Sequence, residues 1–189
     1  MKIKKLSKQA LAAIIILSVL AIAFAIFLPF YLKSNEENRR LYAEEKIKFS
    51  AFGEELGSYT LEELLALEGV QEAEFTDYYD TSISEPVEKT YTGIELGSVL
   101  TALGVDMREM RTATFKASDG AVKIYTYQEI RQENNVYIAY KVNGKPFERG
   151  IDGLGYTRDT EDGGPFVVIK VSDTFSNNRC KLLTEVIIA

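Results

Sequence analysis

Between Glu148 and Gly164 the chain interleaves Gly150, Gly153, Gly155, Gly163 and Gly164 with Arg149, Arg158, Asp152, Asp159, Glu161 and Asp162. A guanidinium on a glycine-rich backbone can grip a carboxylate or phosphate through two parallel hydrogen bonds, so Arg149 and Arg158 are candidates for an anion clamp. The competing reading is local pairing with the four neighbouring acids, since surface ion pairs are common and weak. Calcium is suggested only in part, because Asp159-x-Glu161-Asp162-Gly163 lacks the spaced oxygen set of a calcium loop. Cys180 is the single cysteine and excludes an internal disulfide. It is a weak candidate for a metal ligand, because a lone cysteine beside a strand is most often buried as a small apolar residue. With no histidine in the chain, a Ser-His-Asp triad, a histidine base and an ordinary catalytic zinc site are all excluded.

The elements that must position these residues can be read on either side. Residues 136–142 are β-branched and aromatic, Asn143-Gly144 predicts a tight turn with positive φ at both central positions, and 166–171 is an apolar strand. The 148–164 connection is therefore a long loop bracketed by two strands, a length that is usually functional or disordered. Asp119-Gly120 is a second hairpin signal, between strands at 113–118 and 122–127. There Val122, Ile124 and Thr126 share one face and Lys123, Tyr125 and Tyr127 the other. A cavity between the Asp119 hairpin and the Gly163-Gly164-Pro165 turn, lined by Arg149 or Arg158, would favour a bound anion or cofactor, and a filled core there an interaction module; Asp119, Gly163 and Gly164 join the candidate ligand-binding residues.

Two helices are predicted. Thr60-Leu61-Glu62-Glu63 is a capping box opening a helix over 61–67 that Gly69 stops. Leu96, Val99, Leu100 and Leu103 give the stripe of a helix over 93–104, which Gly104 ends. Residues 47–52 alternate like a strand, 70–79 reads as extended, and 80–89 as loop.

The first residues set the location. Lys2, Lys4, Lys5 and Lys8 precede an uncharged, apolar run over 10–32, long enough to cross a hydrocarbon core with the lysine-rich end in the cytoplasm. Cleavage near Ala23-Phe24-Ala25 is the rival reading, disfavoured by the length of the run. The expected order is a cytoplasmic tail (1–9), a membrane signal anchor (10–32), a solvated charged stalk (33–46) and an extracytoplasmic domain (47–189). Residues 1–33 hold five lysines and no acid; 22 basic residues less these five leaves 17 against 28 acidic ones, a net charge of −11 outside the membrane. Nucleic acid is excluded as a partner on that balance.

Taken in order, several short stretches resemble one family. Tyr91-Thr92-Gly93-Ile94-Glu95-Leu96, Phe115-Lys116-Ala117-Ser118-Asp119-Gly120, Ile138-Ala139-Tyr140, Asn143-Gly144-x-Pro146, Gly163-Gly164-Pro165-Phe166 and Leu183-Thr184-Glu185-Val186 are similar to the sulfite-oxidase-like, or oxidoreductase molybdopterin-binding, domain over about two thirds of the chain. The resemblance implies an α+β fold with a mixed, largely antiparallel sheet and two short packed helices. It also implies a molybdopterin cofactor and extracytoplasmic redox chemistry of the sulfite-oxidase type. Two departures bear on that activity. The family's metal-ligating cysteine lies between the two helices, where residues 70–92 offer Tyr78, Tyr79, Thr81 and Ser82 but no cysteine. The family also places histidine and arginine around the glycine-proline motif, where Asp162-Gly163-Gly164-Pro165-Phe166-Val167 has neither. Two expectations follow: a molybdopterin-dependent oxidoreductase, or a domain that keeps the fold and serves as a binding or assembly module for a protein partner or a small anionic ligand.

Overall fold

Asn143 (φ 48°) and Gly144 (φ 76°) turn the chain as their residue types demand. In the computed structural model, which describes residues 8–81, 84–148 and 163–189, this turn joins β7 (Val136–Val142) to β8 (Lys145–Pro146). The Asp119-Gly120 turn between β5 (Thr112–Ala117) and β6 (Val122–Thr126) is made differently. Only Gly120 has positive φ, and Asp119 Oδ1 accepts from the Ala121 N–H at 2.9 Å, the side chain closing the turn that a second left-handed residue would otherwise make.

The chain divides into two units, Met1–Glu37 and Asn38–Ala189. Most of the first is α1 (Lys8–Ala43), which presents Ile16, Leu17, Leu20, Phe24 and Phe27 as exposed side chains. Among the described residues no helix is long and apolar enough to cross a membrane, so the fold does not establish the crossing expected over 10–32. The second unit begins inside the expected stalk. Leu41 and Tyr42, near the end of α1, are buried, and Tyr42 belongs to the main core, which corrects the reading of 33–46 as wholly solvated.

The expected single sheet is two. The first has the order β2 (Glu54–Tyr59), β1 (Ile47–Ala51), β10 (Leu183–Ile188), β5, β6, antiparallel except for the β1–β10 pair. The second runs β3 (Glu72–Thr81), β4 (Ser84–Glu95), β7, β8, with β9 (Val167–Lys170) also on β7, all antiparallel. The stretch 80–89 is therefore largely strand, not loop, paired as one long ribbon in which Tyr78 faces Glu88 and Tyr79 faces Val87. Gly93 in β4 is required by close approach, since a Cβ there would lie 2.7 Å from the Ile138 carbonyl oxygen.

Alternation along β7 feeds two cores. Val136, Ile138 and Tyr140 enter the main one with Phe49, Ile94, Phe115, Val186 and Ile188. Ala139 enters a smaller one with Tyr91, Phe147, Val167 and Ile169, and Phe75 stacks on the Tyr137 ring at 4.1 Å. Both expected helices form but shorter than expected, as α2 (Leu61–Leu65) behind the Thr60–Glu63 capping box and α3 (Leu96–Ala102), which buries Leu96, Val99 and Leu100; residues 93–95 belong instead to β4, held by pairing with β7. A further one, α4 (Tyr127–Arg131), begins where strand was expected to continue, behind a second capping box of Thr126 and Glu129.

Candidate functional site

Chain reversal at Asp119-Gly120 sets the first wall of a cavity, of about 300 Å³, against the segment that precedes β10. Its polar lining is Asp119, Lys123, Ser176, Asn177, Arg179 and Lys181. Lys123 comes from the face of β6 shared with buried Tyr125, and its Nζ donates to the Asn177 carbonyl at 2.5 Å. The Tyr125 hydroxyl donates to the Asn178 carbonyl at 3.0 Å. Burial raises the Tyr125 phenol well above its ordinary range, so it is a donor at any physiological pH.

Arg179 anchors the opposite wall. Its side chain is only 6% exposed, and its guanidinium donates to Asp77 Oδ2 and the Tyr91 hydroxyl, each at 2.7 Å, and to the Tyr78 carbonyl at 3.1 Å. It also lies over the Tyr91 ring, 4.8 Å from the centroid. Asp77 is held above the usual carboxylate range because burial outweighs the pull of Arg179. Ser176, on a single 3-10 turn at Ser176–Asn178, accepts from the Asp80 N–H at 2.9 Å. These bonds fasten the far end of β3 to the segment before β10.

Three cations converge on the Tyr79 ring. Lys89 Nζ lies 4.3 Å from its centroid, Lys181 Nζ 5.2 Å and Arg179 Cζ 5.5 Å, and Lys181 Nζ also donates to the Tyr79 hydroxyl at 3.3 Å. Among the lining residues Lys123, Arg179 and Lys181 stand with one acid, Asp119, on a domain that is acidic as a whole.

Gly163 and Gly164 stand beside this site as backbone. Gly163 O accepts from the Leu182 N–H at 2.9 Å, and a Cβ on Gly163 would meet Lys181 Cβ at 2.9 Å. Gly164 N–H donates to the Glu148 carbonyl at 3.2 Å, and a Cβ on Gly164 would lie 2.3 Å from Phe147 Cβ. Neither position admits a side chain, which is the physical reason for the glycine pair. The structure thus places Asp119 in the cavity and Gly163 against Lys181, while Arg149 and Arg158 lie outside the described residues. Lys123, Arg179 and Lys181 escaped the sequence reading, since Arg179 meets Asp77 only through tertiary folding and no local motif announces the pair.

A molybdenum centre of the expected type needs a thiolate. Cys180 is buried in the main core, bridged to Val168 of β9 through the backbone, and is not part of the cavity lining. Burial pushes its thiol up to about 12, so it stays protonated at neutral pH. Among the described residues no cluster of three or more histidine, cysteine or acidic side chains could hold a metal ion. The lining offers the ammonium groups of Lys123 and Lys181, which pair with anions, and no thiolate for a metal centre.

No family model and no curated protein matches the chain. Among solved structures, a chain of the sulfane dehydrogenase SoxCD from Paracoccus pantotrophus is similar at 14% identity with a TM-score of 0.59, over 78% of this chain and 38% of that one. The two share a fold. This chain spans well under half of the larger protein's length, and at such identity the likeness carries over architecture and no site residue.

Proposed function

We propose that the chain is a membrane-tethered extracytoplasmic domain that keeps a sulfite-oxidase-like fold without its metal chemistry and binds a small anionic ligand. The observation that carries this reading is the cavity between the Asp119 hairpin and the segment before β10, lined by Lys123, Arg179 and Lys181 and by no thiol or imidazole. Arg179, clamped by Asp77 and Tyr91, fixes the wall, and Lys123 and Lys181 are the groups that reach the ligand. Asp119 and Ser176 share the lining with them. The tether rests on the uncharged apolar run over 10–32 and on the large apolar side chains that α1 exposes. Extraction of cell membranes with alkaline carbonate tests the tether; release of the full chain into the supernatant would remove it.

A second reading, a molybdopterin-dependent oxidoreductase, is favoured by the fold shared with a sulfane dehydrogenase. One experiment separates the two. The full chain is purified in detergent from a host that makes the pterin cofactor, and molybdenum is measured by mass spectrometry with pterin fluorescence after acid release. The binding reading expects both at background, with a melting temperature that rises on adding phosphate or sulfate and ceases to do so in Lys123→Gln/Lys181→Gln. Near-stoichiometric molybdenum would overturn it in favour of the enzyme.

A further inference from the structure

A second and larger cleft, of about 660 Å³, lies between the end of α2, α3 and α4. Its walls include the apolar Ala102, Met107 and Ile130 with the bare backbone of Gly97, and Glu68, Glu95 and Glu133 add three carboxylates. The one cation among the lining residues, Arg131, is folded over the Tyr127 ring, 5.4 Å from its centroid. Gly97 sets the character of the floor. Gly97 is the second residue of α3, in its first turn, where glycine is tolerated at a smaller cost than in a helix interior. Here a Cβ would meet only the Ile130 carbonyl oxygen at 3.8 Å, an ordinary contact, so the fold's own packing does not require glycine. The space above it is left open.

We propose that this cleft is a docking groove for a basic amphipathic peptide segment of a partner protein. Such a segment would lay its apolar side chains over Gly97, Ala102, Met107 and Ile130, while its lysines or arginines meet Glu68, Glu95 and Glu133. Charge complementarity selects this occupant, since three carboxylates beside an apolar floor repel acidic segments and reward basic ones. The groove stands apart from the Lys123 cavity, with which it shares no lining residue, so it holds or falls independently of the anion reading.

The test uses the full chain in amphipol and two synthetic helical peptides with leucines at i, i+3, i+4 and i+7. One has lysines on its polar face and the other glutamates, and each carries a benzophenone among its leucines. After irradiation, adducts are mapped by mass spectrometry. The lysine peptide is expected to mark Met107 and residues of α3 and α4. Labelling should fall at least about tenfold in Glu68→Lys/Glu133→Lys, and it should disappear in Gly97→Leu, whose side chain fills the floor. Gly97→Ala is the folding control, expected to melt at or above the parent temperature. Should Gly97→Leu fail to fold, the charge-reversal pair decides alone. Adducts spread outside the cleft, equal labelling by the glutamate peptide, suppression by spermine alone, or no adduct at all would each overturn the proposal.

Discussion

Arg179 is buried with its charge intact because every direction around it is answered: a carboxylate, a phenol, a carbonyl and the face of a ring. Removing one member of such a pair strands the other. Arg179→Met is expected to cost about 3–5 kcal/mol at neutral pH in urea melts, whereas Arg179→Met/Asp77→Leu should recover much of that loss. The pH dependence follows from the sign of the Asp77 shift. Its folded pKa already lies above the unfolded value, and without Arg179 it rises further, so the penalty for the ionised carboxylate disappears as pH falls and Arg179→Met should gain stability on acidification relative to the parent. A penalty that is flat with pH would show that Asp77 finds another cation. Cys180 gives the opposite window. Burial holds its folded value at about 12, above that of a free thiol, so its contribution is fully present below about pH 9 and is lost as pH rises toward 12. Iodoacetamide should therefore leave Cys180 unmodified at pH 8 in the folded chain and alkylate it in urea; rapid labelling of the folded form would show an accessible thiol. Little of this was legible beforehand. Sequence shows an arginine, a cysteine and a lysine in a row near the last strand, but only the fold brings Asp77 to Arg179.

At the scale of elements, two helices obey one local rule. Thr60-x-x-Glu63 and Thr126-x-x-Glu129 have the same spacing, and in both the threonine oxygen accepts from the third amide while the glutamate returns to the threonine N–H. The first was read from sequence. The second was missed because Lys123, Tyr125 and Tyr127 continue the two-residue alternation of β6 one step past the cap, and the strand period outweighed the box. Thr60→Ala and Thr126→Ala should each cost about 1 kcal/mol in urea melts. Glu129→Ala should cost more than Thr126→Ala, because Glu129 also pairs with Lys170 of β9, which would keep Asp173 and the face of the Tyr125 ring but lose this carboxylate. Equal losses would mean that the Lys170 contact contributes nothing. The long β3–β4 ribbon was partly hidden for another reason. Glu88 and Lys89 are poor strand formers in isolation, and their pairing with Tyr78 and Asp77 is imposed by the partner strand, which propensity does not report.

For the whole molecule, hydrophobic alternation identified the residues that face inward but not the sheet each strand joins. β1 and β10 pair in parallel across almost the full length of the second unit, and no local signal encodes that meeting. The division between the chain's two units shows the same limit. Charge made residues 33–46 look like a stalk, yet the domain's compact unit starts at Asn38, and Leu41 and Tyr42 are each only 2% exposed. Burying two large apolar side chains contributes about 3 kcal/mol or more, and for a unit of this size each kcal/mol moves the melting temperature by roughly 2–4 °C. A chain begun at Ile47 should therefore melt about 6–12 °C below one begun at Asn38, and Leu41→Ala/Tyr42→Ala in the longer chain should reproduce most of the difference. If instead the two lengths melt together, the end of α1 is a passive spacer and the domain begins at β1. If they differ as expected, the last turn of α1 is part of the domain's core.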